Sequence, residues 1–458
     1  MGDRRPGSDA SGTSVSRRAL LSATGLAAGA TVLSAAGAPA AAAPAGTGGA
    51  ATADLPLIGG AEFPIGIYWP PPPYETTLAR YREIRDAGFT FLVTGNYLAD
   101  SYIVDHALGI ADQAGLRVIV APDEPRLNAA GHVYAITDSG GTDGAVSRDQ
   151  ARFAVAQAVD QYAQHPSLAG FSAADEPPES TFGSVARSFD LYRELAPDHL
   201  PYSNLVPGNG DGYSAFVQRY VDTTRPALLS FDRYPINHDG EIPGYFDNWA
   251  RVRAIALAAG IPAWTYILSV EHLDYVFPTA AQLRWQINVS LAYGCKGIQY
   301  FTYWTPDPAR GESFVRAVMT LDGQRTPLYE AARTINTGWL QPVGRQLKPL
   351  VSESVQHAND DPLPAGATAF RPGPYLHAVD GGPVVLGLFR AAPDDGRRWL
   401  LVTNRSFDDD VPVTVTPTAD TVGSVSLFDP AGGGYATQHS PVELRLSAGS
   451  AHLLRLDP

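Results

Sequence analysis

Leu168-Ala-Gly-Phe-Ser-Ala-Ala-Asp-Glu-Pro177 is a run of small and aromatic residues that stops at two adjacent carboxylates and a proline. A strand buried on both faces has this texture until it reaches solvent. Proline cannot continue a sheet ladder, so the strand is expected to end at Asp175 or Glu176. That places both carboxylates at the rim of a sheet and makes Glu176 a candidate acid there. The rest of the chain must then supply the sheet and a second acidic group.

From Phe63 to about Pro342, short apolar runs alternate with amphipathic stretches. The strand candidates are Pro64–Trp69, Phe89–Thr94, Arg117–Ala121, Ala169–Ala174, Pro201–Val206, Leu228–Phe231, Pro262–Leu268 and Gly297–Trp304. Most are apolar throughout, as parallel strands covered on both faces are. Helix candidates end at Gly88, Gly115, Gly260 and Gly294, each followed closely by the next strand. Glycine fits the left-handed position just past a helix end, so a helix-stop-strand unit recurs. Further helices are expected at 148–164, 181–195, 213–221 and 325–340. Eight strands each followed by a helix predict a (β/α)8 barrel, a TIM barrel, over residues 63–342. A doubly wound open sheet is the alternative, weakened by the lack of a Gly-x-Gly-x-x-Gly turn after the first strand.

After Pro342 the texture changes. Val384–Ala391, Arg398–Thr403, Val411–Val415, Val425–Phe428, Val442–Leu446 and Ala451–Leu456 read as short strands between Asp/Gly/Pro turns. A small antiparallel β-sandwich is expected over 343–458. The aspartate clusters at 360–361, 394–395 and 408–410 fall in turns, without the spacing of a calcium loop. At the other end, Ser16-Arg-Arg-Ala-Leu-Leu21 and the Ala/Gly/Leu segment after it form a twin-arginine export signal, ending near residue 43. Residues 44–62 read as a flexible leader. The signal's apolar segment, Ala19–Leu33, is short for a membrane span, which needs ~20 strongly apolar residues. The expectation is a secreted protein with no span after processing. A disordered or anchoring N-terminus is the competing reading.

A net charge of -14 argues against nucleic-acid or anionic-membrane partners, which attract basic patches. The single cysteine, Cys295, excludes a disulfide framework and a cysteine metal cluster; it reads as a small buried residue. No metal or cofactor is expected.

In a (β/α)8 barrel the active site forms at the C-terminal strand ends. Taken in order, those ends carry Tyr68-Trp69, Asn96-Tyr97, Asp123-Glu124, Asp175-Glu176, Asn209, Asp232-Arg-Tyr234, Glu271-His272 and Tyr303-Trp304. The ring holds carboxylates, aromatics and carbohydrate-type hydrogen-bond partners. Cleaving a glycosidic bond takes one carboxyl group to protonate the leaving oxygen and another to attack or stabilise the sugar carbon. Glu176 and Glu271 fit those places, and Asp232 competes with Glu271. The charge of Asp175 would help hold a proton on Glu176. A retaining reaction would need the two carboxyls about 5–5.5 Å apart.

Eight strand candidates, an acid ending the fourth, Glu271 at the end of the seventh, an aromatic at the end of the eighth and an appended β-domain resemble the large (β/α)8 clan of retaining glycoside hydrolases. The resemblance covers the barrel, residues 63–342. It implies Glu176 as acid/base, Glu271 as nucleophile, Trp304 as the floor of the sugar subsite and Tyr234 orienting the nucleophile. Asp175 stands where the clan usually has Asn, at the contact to the sugar 2-hydroxyl. Substrate contacts are then expected from Asp175, Asn96, Tyr68, Trp69, Asp232, Tyr234 and Trp304, toward an oligosaccharide, polysaccharide or glycoside. Two other classes compete: a non-catalytic carbohydrate-binding or surface protein on a barrel scaffold, and another type of hydrolase or lyase. The latter is weakened by the absence of Gly-x-Ser-x-Gly and His-Glu-x-x-His.

Overall fold

The computed structural model describes residues 54–127 and 148–458. The export signal and most of the leader lie outside the described residues. Eight parallel strands form the barrel: β1 (Ile65–Tyr68), β2 (Phe91–Val93), β3 (Arg117–Val120), β4 (Leu168–Asp175), β5 (Leu200–Asn204), β6 (Leu229–Asp232), β7 (Ala263–Leu268) and β8 (Gly297–Phe301). They pair in chain order, and β8 returns to β1. Between β5 and β6 the ring closes through an isolated parallel bridge, Leu205 with Phe231. The expected (β/α)8 barrel is therefore the fold. β4 ends at Asp175, with Glu176 beyond it.

A helix follows each strand: α1 (Leu78–Asp86), α2 (Ser101–Ala114), α3 (Arg148–Tyr162), α4 (Phe182–Leu195), α5 (Gly210–Thr224), α6 (Tyr245–Ala259), α7 (Ala280–Ala292) and α8 (Pro327–Ile335). The glycine stops work as the sequence suggests. Gly115 and Gly260 cap α2 and α6 in the left-handed conformation, at φ 70° and 67°. α7 starts with a reciprocal capping box between Thr279 and Gln282.

The lumen is filled in layers. At the bottom, Phe91 and Trp264 pack with ring centroids 5.6 Å apart. Two strand glycines make room for them, since a Cβ on Gly66 would lie 2.3 Å from Phe91 and one on Gly297 2.6 Å from Trp264. Above them, Tyr202, Tyr266, Ser230 and Gln299 are all buried, a polar layer where apolar branched residues usually sit. The carboxylates follow at the rim.

The C-terminal region is antiparallel, as expected, but has three more strands than the sequence suggests. β9 (Val351–Ala358), β11 (Val384–Arg390), β12 (Arg398–Asn404), β17 (Ala451–Asp457), β14 (Ser424–Asp429) and β15 (Gly434–Gln438) form one sheet in that spatial order. The second sheet is β10 (Leu376–Gly381), β13 (Val411–Pro417) and β16 (Val442–Leu446). The first packs on α7, whose Trp285 donates to Arg405 O at 2.9 Å and whose Asn288 donates to Gly449 O at 2.9 Å. Cys295 is buried, its thiol donating to Gly297 O, and burial pushes its pKa up to about 12. Among the described residues no helix is long and apolar enough to cross a membrane.

Candidate active site

Several non-glycine residues just past the C-terminal strand ends have positive φ. Trp69 after β1, Asn96 and Tyr97 after β2, and Glu176 after β4 all have left-handed conformations, with φ of 62°, 50°, 69° and 46°. Non-glycine residues adopt this region only when their surroundings hold them there, and such residues cluster at functional sites. The peptide N–H of Glu176 donates to Asn204 O at 2.9 Å, fixing the turn to the end of β5. Asn96 donates its side-chain amide to Pro70 O at 2.6 Å and so anchors the proline run after β1.

Each candidate carboxylate has a distinct setting. Asp175 is exposed and lies beside Asn204 in the β4–β5 register. Its charge reaches into the lumen: burial raises the phenol pKa values of Tyr68, Tyr202 and Tyr266, and Asp175 raises them further. The phenol of Tyr213 is raised first by burial and then by Asp232 and Glu176. Asp232 is buried and accepts the side-chain N–H of Asn204 at 3.0 Å. Glu271 lies three residues past β7 and forms a bridge with Arg316, whose Nε donates to its carboxylate at 2.9 Å. Glu124 is buried in a structural role, accepting from the Leu127 N–H and from Arg126 and Tyr162.

Aromatic rings line the mouth. Tyr68 stacks on Phe301 at 5.9 Å, and Phe301 stacks on Tyr234 at 5.4 Å. Tyr234 is buried and also meets His272 and Tyr275 edge-on. Arg310 lies over the ring of Trp69, 4.2 Å from its centroid. Trp304 stands apart from this group. β8 ends at Phe301, and the Trp304 ring is buried in the following loop, with its indole N–H donating to Leu321 O and Arg80 over its face. Such a ring offers no floor to a sugar. Phe301 supplies the strand-eight aromatic at the mouth instead.

The sequence reading missed Tyr202, Asn204, Ser230 and Gln299. They lie on three strands, β5, β6 and β8, and only ring closure brings them together. Among the described residues no group of three or more His, Cys, Asp or Glu side chains is placed to hold a metal.

No protein-family model and no curated protein matches the chain. Similar solved structures are glycoside hydrolases. A β-galactosidase from the psychrophilic Marinomonas ef1 aligns with 63% of this chain at 12% identity and a TM-score of 0.49. The alignment spans 62% of that enzyme, so the chain covers less than two thirds of its length. A monomeric β-xylosidase from Caulobacter crescentus CB15 aligns over 86% of this chain and 96% of its own, at 12% identity and a TM-score of 0.41. A GH27 β-L-arabinopyranosidase from Geobacillus stearothermophilus aligns over 89% and 98%, at 10% identity and a TM-score of 0.48.

Proposed function

We propose that this chain is a secreted glycoside hydrolase that cleaves an oligosaccharide, polysaccharide or simple glycoside with retention of anomeric configuration. The observation that carries this reading is Glu176. It is held left-handed at φ 46° on the barrel rim, tied to Asn204, next to Asp175 and near the same phenol as Asp232. A strained acidic residue at a barrel mouth among other carboxylates suits proton transfer to a leaving oxygen. Tyr68 and Phe301, half-buried at the mouth, supply ring area for a sugar, while Trp69 is buried beneath Arg310. Glu271 beyond β7 and Asp232 on β6 are the two carboxylates available as nucleophile. The paired arginines near the N-terminus support export in the folded state.

Glu176 acts as acid in the first step and base in the second. A leaving group that departs without help does not need the acid. Replacing Glu176 with Gln is expected to slow cleavage of an alkyl glycoside by about 10²–10⁴-fold, and to slow first-step cleavage of a nitrophenyl glycoside far less. Equal activity of variant and parent on both substrates would reject the role. The anomer first released, followed by NMR, tests retention.

A further inference from the structure

We infer that Asp232, not Glu271, is the nucleophile, and that a buried chain of hydrogen-bond donors running through the lumen positions it; this rests on the glycoside-cleaving reading above. Gln299 on β8 donates from Nε2 to the Tyr202 hydroxyl at 2.9 Å. Tyr202 on β5 and Ser230 on β6 share a hydrogen bond of 2.8 Å. Ser230 donates to Asn204 Oδ1 at 2.9 Å, and Asn204 donates from Nδ2 to Asp232 Oδ1 at 3.0 Å. All five side chains are buried.

The chemistry of the groups sets one direction. The Ser230 proton goes to Asn204, so the Ser230 oxygen receives the proton of Tyr202, whose own oxygen receives that of Gln299. An ionised carboxylate only accepts, so Asp232 is the end of the chain. Turning over the Asn204 amide would set its oxygen against the Asp232 carboxylate, so the carboxylate fixes its orientation and the Ser230 hydroxyl, able to donate or accept, follows it. Asn204 also accepts the peptide N–H of Glu176 at 2.9 Å through its backbone oxygen. One residue thus places both carboxylates. A polar network in a lumen is costly unless satisfied, and once satisfied it holds its members rigidly.

Glu271 is built differently. Its peptide N–H donates to Arg316 O, its own carbonyl accepts from Val315 N, and its carboxylate takes the Arg316 guanidinium. These contacts clasp the loop after β7 to the loop after β8. In the reaction, an Asp232 oxygen bonds to the anomeric carbon. The glycosidic C–O bond breaks with its electron pair on the leaving oxygen, which takes the Glu176 proton. Water then attacks the same carbon and gives a proton to Glu176, and the ester bond breaks with its pair returning to Asp232.

The test is to treat the mature chain with a panel of 2-deoxy-2-fluoroglycosyl fluorides and locate the covalent label by peptide mass spectrometry. The expected result is a label on Asp232. A label on Glu271 overturns this inference and leaves retaining cleavage standing. Turnover of glycosides with no label and an inverted product overturns the inference and the retaining mechanism, while cleavage stands. No turnover of any glycoside and no label removes both readings. The positioning role has its own readout. Asn204→Ala should lower kcat by about 100-fold with KM little changed, as misplacing a reacting group does. Ser230→Ala should act in the same direction, with Ser230→Thr restoring the rate. Variants that melt earlier but keep kcat would show the chain to be structural only.

Discussion

At the scale of single residues, the left-handed backbone of Glu176 separates what folding needs from what chemistry needs. A side chain with a Cβ is strained at φ 46°, and glycine is not. Glu176→Gly is therefore expected to be more stable than Glu176→Ala by about 1 kcal/mol, although both lose the acid. Urea unfolding of the two variants measures the difference. Equal stability would mean that the turn relaxes once the carboxylate is gone. Asp175 and Glu176 were legible because Pro177 marks where the strand must stop. Asn204, Ser230 and Gln299 were not, since a polar residue within a strand gives no sign of the partner that ring closure brings to it from another strand. Trp304 was misplaced because Gly297–Trp304 stays apolar and aromatic to its end, which hides the strand's end at Phe301.

At the scale of elements, the close pairing of β4 with β5 decides where the rim carboxylates stand. Gly170 is the residue that permits it. A Cβ there would lie 2.2 Å from Leu200 O, a backbone atom with nowhere to go. Gly170→Ala is expected to cost about 1–3 kcal/mol or more and to lower activity, by pushing β4 away from β5 and moving Asp175 and Glu176. Gly109, inside α2, is the contrast. Its added Cβ would meet only His165 Cε1 at 3.8 Å, so Gly109→Ala should stabilise by about 0.5–1 kcal/mol through helix propensity. Chemical denaturation of both variants checks the opposite signs. The helix-stop glycines at 88, 115, 260 and 294 made four of the barrel's repeats readable, and the apolar strand runs the rest. The missed strands are those with a weak apolar signal. β15 is exposed along much of its length at a sheet edge, and β9 interleaves Ser, Glu, Gln and His among few apolar residues.

At the scale of the whole molecule, one side of the first C-terminal sheet joins the barrel's apolar cluster, where Trp285 and Leu291 of α7 lie with Phe389, Leu401 and Leu453, while the two C-terminal sheets hold a second apolar cluster of their own. Lys296, just before β8, sits at this junction. Its Nζ donates to Leu347 O at 2.5 Å and Leu350 O at 2.6 Å, with the Phe389 ring 5.6 Å away. A neutral amine has two N–H bonds, enough for the two carbonyls, and burial lowers the pKa to about 7 from the usual 10.5. The sign of the pH effect follows. Below about pH 7 the amine is charged in both states, and the folded state carries the cost of burying that charge. Between about 7 and 10.5 the unfolded chain keeps a proton that the folded chain has released, so stability rises with pH by up to about 1.4 kcal/mol per unit. Lys348 donates to Leu57 O, Gly59 O and Glu62 O, and burial lowers its pKa to about 8, adding a rise of the same sign from about pH 8 upward. Lys296→Met should therefore remove the rise between about pH 7 and 8 and, above pH 8, lower the slope to the contribution of Lys348 alone. Urea titrations at half-unit steps from pH 6 to pH 10 measure both slopes. A variant whose slope matches the parent's throughout would show that Lys296 stays charged beneath the sheets, with the Phe389 face and both carbonyls holding the ammonium.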